Sequence, residues 1–158
     1  MASTMQTARK STRDLEENAR LFAFGTHRYI TGHIVHEDDF KVTLSVKWRK
    51  ALEDQWKSDD IEEFLLQNVD EEIVLNYWRD LGGREKVTGL DQYHILRILG
   101  ETTLRYKVQW VGYGVEEATL ETKYMVNKAS RARVNEWLEK KNQDKKKAGR
   151  RACRYVPY

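Results

Sequence analysis

The strongest constraint in this chain is that it repeats itself. Ile30-Thr31-Gly32-His33, then Leu44-Ser45-Val46-Lys47-Trp48, then Asn76-Tyr77-Trp78 run in the same order as Ile98-Leu99-Gly100-Glu101, Tyr106-Lys107-Val108-Gln109-Trp110 and Asn135-Glu136-Trp137. The spacings between copies are 68, 62 and 59 residues. A solenoid needs more and shorter units, so two copies of one small domain are expected. Within each copy an alternating run reads as a half-buried strand: Leu44, Val46 and Trp48 in the first, Tyr106, Val108 and Trp110 in the second. His36 to Asp39 and Gly100 to Thr103 read as hairpin turns.

Each copy should close with a helix. Asn68 and Glu71 have capping-box spacing, and Ile73, Val74, Tyr77, Trp78 and Leu81 share one face. Gly82-Gly83 supplies the stop. In the second copy Val134, Trp137 and Leu138 form a shorter face that begins near Ser130. The expected class is therefore α+β: two small units, each a three-stranded curved antiparallel sheet with a C-terminal helix. A unit of this size buries little and should be only marginally stable alone.

The 158 residues suit this division, with 40% hydrophobic and 34% charged. The net charge of +3 hides an asymmetry. Residues 1–13 carry +3 and residues 139–158 carry +6, which leaves −6 for residues 14–138. An acidic body with basic ends fits a basic ligand on the body and an anionic one at an end. No apolar run has the length of a membrane helix, and MASTMQTARK lacks the apolar core of a secretory signal. A single cysteine, Cys153, leaves no internal disulfide, and the expected compartment is the nucleus or cytosol. His27, His33 and His36 lie beside Glu37 to Asp39, but strand and turn positions splay such side chains, so no metal is expected. No nucleophile–base pair or phosphate loop is present, so neither an enzyme nor a cofactor is expected.

The second copy carries Tyr93-His-Ile-Leu-Arg-Ile-Leu, Tyr106-Lys-Val-Gln-Trp-Val-Gly-Tyr113 and Glu117-Ala-Thr-Leu-Glu121, followed by a helix. This order closely resembles a chromodomain over about residues 90–141, with Leu120 replacing the tryptophan of the family's Thr-Trp-Glu step. The resemblance implies a methyl-lysine cage of Tyr93, Trp110 and Tyr113, with Glu117 adding a carboxylate and Glu121 in the peptide groove. Aromatic faces attract a methylated ammonium through the ring quadrupole, worth about 0.5–2 kcal/mol per contact. Met125 stands where the family often has an asparagine that bonds the peptide backbone, which puts affinity in question more than cage chemistry.

The first copy resembles a chromodomain or its shadow-domain relative. Trp48 aligns with Trp110, Ala51 stands at the place of Tyr113, and the place of Tyr93 falls near Phe24 and Gly25. The Thr-Trp-Glu step reads Gln55-Trp56-Lys57. This copy is therefore expected not to bind methyl-lysine, and its helix from Asp70 to Leu81 offers an edge for homo-oligomer formation.

Residues 2–12 read Ala-Ser-Thr-Met-Gln-Thr-Ala-Arg-Lys-Ser-Thr and strongly resemble the tail of core histone three. Ala8, Arg9, Lys10 and Ser11 give the context that silencing methyltransferases modify and silencing chromodomains read. The segment is either a natural mimic or a ligand fused to its reader; no Gly/Ser linker separates Thr12 from Tyr29, which favours the mimic. The expected organisation is a histone-like segment at 1–13, a linker with a short helix at 14–27, a first unit at 28–83, a linker at 84–92, a second unit at 93–141 and a basic tail at 142–158. The expected function is a nuclear, heterochromatin-type adaptor that reads a methylated histone-three tail or its own mimic. The alternative is a nucleic-acid-binding or dimerising protein with structural chromodomains, in which Lys145, Lys146, Lys147, Arg150 and Arg151 grip DNA or RNA.

Overall fold

A computed structural model describes residues 27–152, with side chains through residue 149. The histone-like segment with Ala8, Arg9, Lys10 and Ser11, the expected helix at 14–21 and Phe24-Gly25 lie outside the described residues. The chain divides into two compact units, Met1–His94 with Val111–Gly114, and Ile95–Trp110 with Val115–Tyr158. The fold is α+β, with a three-stranded antiparallel sheet followed by helices in each unit.

In the first unit, β1 (His27–His36), β2 (Lys41–Arg49) and β3 (Lys57–Glu62) pair in sequence order. Val42, Leu44, Val46 and Trp48 alternate inward from β2, as the period-two pattern requires. They meet Ile61, Leu66, Val74, Trp78 and Leu90 in one core. The repeated Ile-x-Gly step acquires a physical meaning here. Pairing shifts between Ile30 and Gly32, and again between Ile98 and Gly100, so each copy carries an irregularity at the same place.

A helix that the sequence did not reveal follows each sheet directly. α1 (Glu63–Val69) runs on from β3 and is separated from α2 (Glu71–Asp80) by Asp70 alone, at φ −145° and ψ 82°. Asn68, expected to cap α2, sits inside α1 and donates to the Phe64 carbonyl at 2.9 Å. Asp70 is the cap, accepting the Ile73 N–H at 3.4 Å. Of the expected apolar face, Val74 and Trp78 are buried, whereas Leu81 stays 45% exposed because α2 has ended. Gly82 and Gly83, at φ +95° and +115°, make the stop.

Residues 84–92, read from sequence as a linker, hold α3 (Arg84–Thr88) and bury Arg84 and Leu90. Arg84 is paired with Glu63: Nη2 lies 2.9 Å from Oε2, and Nε lies 3.0 Å from Oε1. The Trp78 indole N–H also donates to Glu63 Oε1, at 2.6 Å. One carboxylate thus ties α1, α2 and α3 together at nearly full burial.

In the second unit, β4 (Ile95–Glu101), β5 (Arg105–Trp110) and β6 (Thr119–Thr122) form the sheet, followed by α4 (Lys123–Ala129) and α5 (Arg131–Ala152). Ser130 separates the helices at φ −155° and ψ 93°, repeating the geometry of Asp70. Ile95, Ile98, Tyr106, Val108, Val126 and Val134 form the core, with Trp110 and Trp137 packed against it. Leu138 is 44% exposed. The basic stretch expected as a tail continues α5 for more than two turns beyond residue 141.

Glu101 accepts from Lys123 of α4 at 2.9 Å and from Lys141 of α5. These two hydrogen bonds hold its carboxyl down to about 2 from the ordinary 4.5. The stability gained is full above the ordinary value and is lost as pH falls toward 2. Its carboxylate keeps about a fifth of its surface in solvent, so the gain is small and salt-sensitive. Glu101→Gln should lower the melting temperature at pH 6 and leave it nearly unchanged at pH 2, as read by thermal unfolding. For the buried pair, Glu63→Ala strands Arg84 and should cost about 3–5 kcal/mol in chemical denaturation.

Candidate functional site

The residues assigned to a cage divide between the two units. Tyr93 and Tyr113 fall in the first, and Trp110, Glu117, Glu121 and Met125 fall in the second. Tyr93 and Tyr113 meet edge to face, with centroids 5.6 Å apart and ring planes at 78°. Tyr93 remains 38% exposed. Burial, followed by the neighbouring Tyr93, pushes the Tyr113 hydroxyl up to about 12. That phenol is neutral throughout the physiological range.

The segment that carries Tyr113 is fixed through its backbone. The Gly112 N–H donates to Gln67 Oε1 at 2.7 Å, and Gln67 Nε2 donates to the Tyr113 carbonyl at 3.0 Å. Gln67 is almost wholly buried and spends its amide on this clamp. The Val111 N–H donates to the His94 carbonyl at 2.9 Å, beside Tyr93. Gly112 has φ +84°, and a Cβ there would lie 2.0 Å from Arg84 Cδ. Both backbone conformation and close approach therefore require the glycine of the Trp-Val-Gly-Tyr step.

Trp110 is held differently. It lies opposite Ile95, and its indole N–H donates to Thr119 Oγ1 at 3.0 Å. That hydroxyl donates onward to Glu121 Oε1 at 2.7 Å. The chain from indole to hydroxyl to carboxylate orients the ring from the neighbouring strand, and Glu121 acts here as its terminal acceptor. Glu117 is exposed at the end of the 3₁₀ turn Val115–Glu117. Met125 is 56% exposed, and its backbone N–H donates to Thr122 Oγ1, the cap of α4.

The first unit uses the same device with other residues. Trp48 Nε1 donates to Asp59 Oδ2 at 2.7 Å. Val46 lies opposite Asp59, and Val108 lies opposite Thr119. The counterpart of Thr119-Leu120-Glu121 is therefore Asp59-Asp60-Ile61. Gln55-Trp56-Lys57, which the sequence places at this step, instead precedes and opens β3. Eleven residues separate Trp48 from its acceptor and nine separate Trp110 from its own, so the loop length displaced the match. Ile61 is fully buried, and no carboxylate occupies the place of Glu121 in this unit.

Lys145, Lys146 and Lys147 are exposed on α5, and Arg150 and Arg151 continue its helical backbone. Among the described residues no cluster of His, Cys, Asp or Glu has the geometry of a metal site, and no helix is long and apolar enough to cross a membrane. Comparison with protein-family models, with curated proteins and with solved structures gives no match.

The glycine argument makes a contrast. Gly112→Ala should destabilise the protein by more than about 2 kcal/mol, from strain and overlap with Arg84. Gly149→Ala has open space around its Cβ and should gain about 0.5–1 kcal/mol of helix stability in α5. Denaturant unfolding of the full chain measures the first, and helix content by circular dichroism the second.

Proposed function

We propose that this chain is a non-enzymatic chromatin adaptor that recognises methylated lysine in a histone-three-type tail. The observation that carries the reading is the Tyr93–Tyr113 pair, two aromatics twenty positions apart that meet ring to ring with one still open to solvent. Its support is a Trp110 ring oriented by Thr119 and Glu121. β4 and β6 are the outer strands of the second sheet, and a peptide adds to an outer strand through backbone bonds while a cage selects one side chain. The ligand is then the methylated tail of core histone three or the chain's own residues 2–12, and the site of action is the nucleus.

The full chain is the object to test, because a fragment beginning near residue 84 loses Glu63 and Gln67, which hold Arg84 and Gly112. Calorimetric titration with a Gln-Thr-Ala-Arg-Lys-Ser-Thr peptide should give at least about tenfold tighter binding when its lysine is trimethylated, or about 1.4 kcal/mol. Trp110→Ala and Tyr113→Ala should remove the difference, and Trp110→Phe should keep part of it. Equal affinity of the wild type for both peptides overturns the reading. The chain's own tail gives a second expectation. With Lys10 methylated, deleting residues 2–13 should tighten capture of an added methylated peptide, because a tethered competitor acts at roughly millimolar effective concentration. A tail captured by a neighbouring copy would instead make the mass of the undeleted chain grow with concentration, as light scattering reads.

A further inference from the structure

The outward face of the first sheet carries a cluster that the adaptor reading does not use. Tyr29, Lys47 and Ser58 lie directly opposite one another across β1, β2 and β3, so their side chains share a face. Arg49 follows on that face two residues along β2. Trp56, just before β3, meets Tyr29 with centroids 5.2 Å apart and planes at 76°. The Arg49 guanidinium stacks over Trp56 at 4.4 Å. Val46 and Trp48 point the other way, into the core. Tyr29 and Trp56 nevertheless keep 44% and 42% of their surface exposed. Two large aromatics held open beside two cations are not explained by packing.

The charges around the cluster select the ligand. Lys47 and Arg49 are the cations beside the two rings; Lys41 shares the face further along β2, where it pairs with Glu62, and Lys57 turns to the other side, 5.0 Å from the Trp48 ring. Of the carboxylates on β3, Asp59 turns to Trp48, Glu62 pairs with Lys41 at 3.5 Å, and Asp60 accepts from Ser45 Oγ at 2.6 Å but keeps its charge one pair along the face from Lys47. Arg49 is anchored by one hydrogen bond, Nη1 to the Leu52 carbonyl at 2.8 Å, and its Nε has no hydrogen-bond partner. Turning to an incoming anion would forfeit its stacking on the indole, which a charge-assisted bond to that anion offsets. A cationic peptide would meet Lys47 and Arg49 as like charges. A ligand with flat rings on an anionic backbone matches both features at once. From this arrangement we infer that the face bearing Tyr29, Trp56, Lys47 and Arg49 is a stacking platform for single-stranded nucleic acid. Unpaired bases stack on Trp56 and Tyr29, and the two cations meet the phosphates. A duplex hides its base faces, so the platform discriminates against it.

The test is fluorescence anisotropy of the full chain with a labelled oligo(dT) of about 12 nucleotides, beside a duplex of equal length. Wild-type protein should prefer the single strand. Trp56→Ala should weaken binding at least about tenfold, and Trp56→Phe, which keeps a ring to stack on, should restore most of it. Lys47→Ala should lower the slope of log affinity against log salt by about 0.7. Circular dichroism checks that each variant stays folded. A variant changed at Lys145, Lys146 and Lys147 to alanine controls for non-specific attraction by α5, and the Trp56 effect should persist in that background. The proposal is overturned by equal binding of duplex and single strand, by a Trp56→Ala affinity within about twofold of wild type, or by loss of the Trp56 effect in the lysine variant. Trp56-dependent capture of a polyglutamate peptide without oligonucleotide binding would also overturn it and assign the face to an acidic protein partner. None of these measurements involves Trp110 or Tyr113, so the outcome is independent of methyl-lysine recognition.

Discussion

The buried carboxylate of Glu63 is the point on which the first unit turns. Three short helices, of seven, ten and five residues, are each too short to hold together through backbone bonds alone. Glu63 accepts from Arg84 and from the Trp78 indole, and so joins all three. Removing a charge pair from water is costly, and here both carboxylate oxygens, Arg84 Nε and Arg84 Nη2 find partners while Arg84 Nη1 has none. Gln67, one turn further along α1, extends the same polar cluster to Gly112 and Tyr113. Arg84 in turn fills the space that a side chain at residue 112 would need. The backbone of Tyr113 is thus positioned by Gln67, forty-six positions away in sequence, with Arg84, twenty-nine positions away, packed against the preceding glycine.

The two copies show what a duplicated fold keeps and what it varies. Both keep a strand irregularity at Ile-x-Gly, a tryptophan that donates to the neighbouring strand, and a one-residue break between two helices. These features set backbone path and ring orientation. The acceptor of the tryptophan varies, from the Asp59 carboxylate to the Thr119 hydroxyl, and so does the residue at the place of Glu121, which is a buried Ile61 in the first copy. The first copy thereby lacks the carboxylate arrangement of the second. It carries instead an open Tyr29–Trp56 pair, with Arg49 stacked over Trp56.

The strands were legible in the sequence because alternation of Leu44, Val46 and Trp48, and of Tyr106, Val108 and Trp110, has only one physical interpretation in a half-buried sheet. The α2 stop at Gly82-Gly83 was equally plain. α1 and α4 were not, because each is seven residues long and starts where a strand ends, so neither periodicity has room to declare itself. The misplaced Gln55-Trp56-Lys57 step came from matching a letter across loops of unequal length, which only hydrogen-bond register resolves.

By itself the sequence determined the duplication, the α+β class, the inward-facing strand residues and the glycine stop of α2, whereas the need for glycine at residue 112 rests on Arg84. The former are local, since a period or a turn is written within a few positions. Only the tertiary structure decided that residues 84–92 bury an arginine, that Tyr93 meets Tyr113, and that Trp56 faces outward beside Tyr29 and Arg49. Each of these depends on partners brought together across long stretches of chain. Whether a charge is buried or a ring is exposed is settled by what packs against it, and no sequence window contains that neighbour.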